Sequence, residues 1–317
     1  MRRWLVLALL LMVSGCGKKV PVAVAPKSEL VERDRELYEN AMQALRKNRF
    51  VEARILLQTL LDSYESSEYG AQAKYAVAES FYREAGHSNL ISAESEFRKF
   101  ITFFPDHDLA DDAQLMVAMT HVKQLEKPDR DNTEARLAEL ELTAMITEHP
   151  DSPLLDEAKE KLRGVQEILA EGTFGPAKQY YLRQVYAAVI GRCEEILKKY
   201  PDFSGTDRVL FLMGDTLRKV NATKESVPFY TRIVRDYPLS KLVKDSKKHL
   251  VELQASIPEP NPVALERAKQ HEVDTKGGAL GWLGLGLFKG PTGVSTDTKA
   301  ASVKNPGGEL SIGGGQQ

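Results

Sequence analysis

The chain has 317 residues, 42% of them hydrophobic and 28% charged, and 43 Lys and Arg against 45 Asp and Glu leave a net charge of −2. These proportions suit a globular core and exclude a chain built of membrane spans, while the near balance of charge gives no overall pull toward nucleic acid. With two cysteines, Cys16 and Cys193, no disulfide framework is available once Cys16 is otherwise engaged, so the fold must rest on packing.

The first predicted element is a leader. Arg2 and Arg3 precede an apolar run from Trp4 to Val13. The run is shorter than the ~20 residues a bilayer span needs, and reads as an export signal over residues 1–15. It ends on Val13-Ser14-Gly15-Cys16, which resembles the lipobox of bacterial lipoproteins. The resemblance implies cleavage before Cys16 and acylation of its thiol and new amino group. Because Gly17 follows in place of Asp, it also implies passage to the outer membrane. Residues 16–28 carry two prolines and no helical pattern, as a lipidated tether would, with a reach of about 40 Å when extended.

From residue 29 to 253 one arithmetic recurs. A small residue is followed by apolar residues at +4, +7 and +8 and by an aromatic residue or His at +11. Ala53, Ala93, Ala138, Val189 and Ser226 start the five copies, which end on Tyr64, Phe104, His149, Tyr200 and Tyr237. These offsets put every side chain on one helix face, and the proline that follows four of the five copies stops the helix. Each preceding segment supplies a second helix with small residues at the crossing, such as Ala41, Ala177 and Gly214. The pattern resembles the tetratricopeptide repeat, and implies an all-α, right-handed solenoid of about five helix pairs. Spacings of 40, 45, 51 and 37 residues exceed the ~34 of a minimal unit. The extra length falls at 125–135 and in an additional helix expected near 152–170, capped by Ser152 with Pro153 in its first turn.

Beyond Leu253 the tail, residues 254–317, holds twelve of the 22 glycines, a composition that predicts disorder. Two features interrupt it: Asn261-Pro262, able to start a helix, and the apolar string Trp282, Leu283, Leu285, Leu287 and Phe288, a candidate docking motif. Between Arg218 and Lys248, nine Lys or Arg face three Asp or Glu, an excess that favours an acidic partner surface. No H-E-x-x-H, G-x-S-x-G or paired-cysteine spacing occurs, and the G-x-G fragment at 284–286 lacks a strand before it and a helix after it. The reading is a non-enzyme with no cofactor, no metal site and no nucleic-acid partner. Cys193 falls on a +4 core position and reads as a buried structural thiol.

Lipobox, tether and five repeats together resemble the BamD family of outer-membrane protein assembly factors. The likeness is carried by "ARILLQTLLDSY", "FRKFITFFPDHDLADDAQ", the "PDRD" loop with the helix after it, and "FGPAKQYYLRQVYAAVIGRCEEILKKYPD". It departs at Gln184, where the family usually has Gly, at Gly191 before Arg192, where it often has Asn, and in the missing Tyr-Pro close of the first repeat. The resemblance implies a non-catalytic, periplasm-facing scaffold held in the outer membrane. Its implied partners are the barrel subunit BamA, met by the C-terminal repeats, unfolded outer-membrane proteins, met by the N-terminal ones, and outer-membrane lipid through the acyl anchor at Cys16. It also marks Arg192 as a partner-facing residue and Asp129, Arg130 and Asp131 as a loop that orders repeats or meets a partner. The alternative is another envelope scaffold with the same repeats, serving cell division or peptidoglycan synthesis.

Overall fold

The structure, a computed structural model, describes residues 27–266 together with 268 and 269. The leader, Cys16, the tether up to Pro26 and the Trp282–Phe288 string lie outside the described residues. Those described form eleven helices in chain order: α1 (Lys27–Arg46), α2 (Phe50–Ser63), α3 (Gly70–Glu84), α4 (His87–Phe103), α5 (Ala110–Val122), α6 (Thr133–Glu148), α7 (Leu155–Leu182), α8 (Tyr186–Lys199), α9 (Thr206–Lys219), α10 (Thr223–Asp236) and α11 (Val243–Glu252). No strand occurs among them. None of these helices is long and apolar enough to cross a membrane.

The fold is all-α and built of successive helix pairs, and the repeat arithmetic explains why. Its first position is 0% exposed in all five copies: Ala53, Ala93, Ala138, Val189 and Ser226. So is +4, at Leu57, Phe97, Leu142, Cys193 and Tyr230, and so is +7, at Leu60, Phe100, Met145, Ile196 and Ile233. The even-numbered helices α2 to α10 therefore each bury one stripe. Their ends share one geometry. Tyr64, Phe104, His149, Tyr200 and Tyr237 each donate the backbone N–H to the carbonyl four residues back, then accept from the N–H three residues ahead. In three of these turns a serine hydroxyl (Ser67, Ser152, Ser240) accepts the N–H two residues on, and in a fourth the His107 ring does. A missing proline at the first turn changes none of this, because the hydrogen bonds define the turn.

The opposite turns use left-handed residues. Asn48, Gln184, Asn221 and Gln254 have φ of 57°, 61°, 63° and 55°. Each donates to the carbonyl three back, while the next residue donates to the carbonyl five back, which closes the preceding helix as a Schellman cap. Gln184 is thus a non-glycine where glycine costs least.

The chain divides into two compact units, one ending at Ala76 and one starting at Val77. In the first, Ala41, Ala44 and Leu45 of α1 are buried, as are Ala53, Leu57 and Leu60 of α2, and Tyr38 stacks on Tyr69 at 5.0 Å between ring centroids. In the second, each helix from α4 onward packs on its successor in the chain. Helix α5 is buried on all sides but for Asp111, which accounts for the unbroken apolar run "LMVAM". Among its polar residues, His121 Nδ1 lies 2.8 Å from Glu134 and Gln114 donates to Glu141, while the buried His121 Nε2 has no hydrogen-bond partner among the described residues.

Two expectations need correction. No separate helix occupies 152–170; α7 runs unbroken for 28 residues through Gly172, Gly175 and Pro176. Ala170, Phe174 and Ala177 are all buried on one face, so packing carries the helix past its own weak formers. Nor does Ser152 cap it, since its hydroxyl serves the turn at Leu154 and the helix starts at Leu155. The second concerns the end. Past Leu253 the chain stays packed: Ala255 lies against the cluster of Leu210, Tyr230, Ile233, Val234 and Leu250, and the Asn261 N–H donates to the Arg235 carbonyl at 2.8 Å. A short helical stretch follows at 262–266, started as expected by Asn261, whose Oδ1 accepts from Val263 N.

Candidate partner-binding surface

Arg192 lies on α8, one residue before core Cys193, and the helix turn that buries Cys193 exposes Arg192. Its side chain is 48% exposed, and the guanidinium donates to Glu195 at 3.0 Å, three residues on. Lys199 reaches the same carboxylate at 2.9 Å. Hydrogen bonds from Lys199 first and then Arg192 hold the Glu195 carboxyl below its ordinary value. Beneath this exposed row, burial pushes the Cys193 thiol up to about 12, so it carries no thiolate chemistry.

Asp129, Arg130 and Asp131 sit together in the connection between α5 and α6, all exposed. Arg130 pairs with Glu126 at 3.6 Å. Asp131 has local work: its Oδ1 accepts from the N–H and the hydroxyl of Thr133 at 2.9 and 2.7 Å, a turn just ahead of α6 that lowers the pKa of its carboxyl. Arg192 shares none of these contacts. Its partner is on its own helix, so loop and arginine form two sites on the described surface.

Two open cavities flank the loop. One, of about 690 Å³, is lined on the Asp131 side by Gly86, His87, Lys123 and Glu134; the other, of about 650 Å³, is lined on the Asp129 side by Gly172, Pro176, Tyr180 and Arg183. The loop is seated by a residue that sequence reading passed over. A Cβ on Gly172 would lie 2.5 Å from Asn132 Nδ2 and 2.8 Å from the Pro128 carbonyl, so only glycine lets the loop close on α7. A glycine inside a helical pattern was the available signal. Lys123 crosses the first cavity wall to donate to the Tyr82 carbonyl at 2.8 Å, and burial lowers its pKa.

Comparison with known proteins agrees with this architecture. The family model described as "YfiO: Outer membrane lipoprotein" matches residues 31–227, from α1 into α10. The chain is 23% identical over 198 residues to the outer membrane protein assembly factor BamD of Vibrio cholerae, covering 59% of this chain and 81% of that protein. It is 24% identical over 198 residues to BamD of Haemophilus influenzae, covering 59% and 74%, and 21% identical over 207 residues to BamD of Xylella fastidiosa strain 9a5c, covering 62% and 68%. Repeats, turns and a family match across more than half its length lead to one statement: the chain belongs to the YfiO outer membrane lipoprotein family.

Proposed function

We propose that this protein is a non-catalytic lipoprotein scaffold that assists the assembly of β-barrel proteins in the outer membrane. It is anchored by acyl chains on Cys16 and faces the periplasm. The barrel subunit BamA docks on its C-terminal repeats, around Arg192, and unfolded outer-membrane proteins are met by its N-terminal repeats. The observation that carries this reading is the run of helix pairs with one invariant turn geometry, in a chain related to proteins named outer membrane protein assembly factor BamD. Such pairs offer extended surface for protein partners.

The test is affinity purification of the tagged protein from detergent-extracted membranes, with the co-purifying subunits identified. BamA is the expected companion. Recovery of cell-division or peptidoglycan-synthesis proteins without it would support the alternative scaffold instead.

A further inference from the structure

The last helix, α11, packs on α10 through buried Ser246 and Leu250. Helical geometry at ~100° per residue places Lys244, Lys247, Lys248 and Val251 together on the opposite face, within roughly 100° of arc. All four are exposed, Val251 at 62%, and the preceding turn adds exposed Lys241 and Leu239. None of these lysines makes a salt bridge among the described residues. Of the two acids beside them on α11, Glu252 is engaged by Arg218 at 3.0 Å and His249 at 3.2 Å, and exposed Asp245 stands on the flank of the face next to Lys244. Elsewhere several cations have acidic partners: Arg98 bridges Glu94 and Glu141, and Arg208 holds Glu171.

We propose that this lysine face of α11 docks on an anionic lipid surface. Two features favour lipid over protein. The cations are lysines, flexible point charges that are depleted in protein interfaces, whereas planar arginine forks are enriched there. Exposed aliphatic side chains, Val251 and Leu239, stand among them, as on helices that lie in a membrane interface. A basic face next to anionic headgroups gains about fivefold in binding per lysine at physiological salt, so three lysines reach roughly a hundredfold. The inference does not depend on the acyl anchor and is tested without it.

The experiment uses the full chain carrying Cys16→Ser, which has no acyl chain, in sedimentation with two kinds of vesicle. One is phosphatidylcholine alone; the other is phosphatidylcholine mixed with phosphatidylglycerol. We expect binding to the anionic vesicles only, weakened by added salt. The triple variant Lys244→Glu, Lys247→Glu, Lys248→Glu should lose at least about tenfold in that binding, and the matching Lys→Arg triple variant should retain it. Melting curves confirm that both variants fold. Absence of binding to anionic vesicles would overturn the proposal, as would a folded Glu variant that binds them undiminished. A loss in the Glu variant of capture of a soluble acidic protein, with vesicle binding intact, would assign the face to a protein partner and overturn it equally. Whether Cys16→Ser releases the protein from membranes in cells is a separate measurement, so failure of the anchor and failure of the lysine face are distinguishable.

Discussion

At the scale of single residues, the structure separates side chains that hold the fold from those free to meet a partner. Arg192 has a surface ion pair three residues away, worth about 0.2–0.5 kcal/mol, and Glu195 keeps Lys199 when it is lost. Arg192→Glu should therefore leave helix content and melting temperature unchanged. At an interface with an acidic partner the same change removes a donor fork and adds repulsion, and we expect capture of BamA to weaken at least about tenfold. A variant that melts early would assign Arg192 to the fold. Cys193, its neighbour, is the opposite case: 0% exposed, it should resist thiol reagents until the protein unfolds. Burial raises its thiol from 9.0 to about 12 and lifts Tyr200 and Tyr230 from 10.0 to about 12. Each raised value means that the folded state keeps a proton which the unfolded chain has already released. Stability is therefore full below the unfolded values and falls as pH rises through the window from 9.0 toward 12. A melting temperature that stays level across that window would contradict the burial argument.

At the scale of elements, α7 shows how much of the fold sequence reading could reach. The stripe positions were legible because burial obeys a fixed spacing: Ala138, Leu142 and Met145 could be placed before any coordinates, and all are 0% exposed. The continuity of α7 was not, because Gly172, Gly175 and Pro176 speak locally for a break, and only the buried row of Ala170, Phe174 and Ala177 overrules them. The turns behaved similarly. Asn48 and Asn221 are residues that tolerate left-handed backbone and could have been read as helix stops, whereas Gln184 and Gln254 carry no such mark. The two helical glycines make a paired test. Gly175→Ala meets nothing within 4 Å beyond its chain neighbours, and crowding of the new methyl against Pro176 offsets the helix-propensity gain, so the melting temperature should stay near the wild-type value. Gly172→Ala drives a methyl into Asn132 and the Pro128 carbonyl, and should lower the melting temperature and loosen the Asp129–Asp131 loop. Hydrogen exchange at Thr133, whose N–H Asp131 accepts, reports the loosening. Equal responses from the two variants would refute the seating of the loop.

At the scale of the whole molecule, composition located the change from repeats to tail near Leu253, yet packing continues past it. Glycine content is an average over the tail, and it could not register Ala255 in the last core cluster or Asn261 on the Arg235 carbonyl. Truncation after Leu253 should therefore lower the melting temperature by several degrees, while truncation after residue 269 should leave it near the full-length value. Equal melting of the two would show that the segment contributes nothing. The candidate surface was legible only through family resemblance: nothing in the spacing of Asp129, Arg130 and Asp131 distinguishes a partner loop from a solvated one, and the structure gives Asp131 a local turn onto Thr133 in addition. The central claim is that this protein serves β-barrel assembly. It is tested most directly by depleting the protein in cells and measuring the folded fraction of outer-membrane β-barrel proteins by their resistance to unfolding in detergent at low temperature. The account predicts a fall in that fraction, restored by the wild-type chain and poorly restored by Arg192→Glu; folded barrels at normal levels throughout depletion would contradict it.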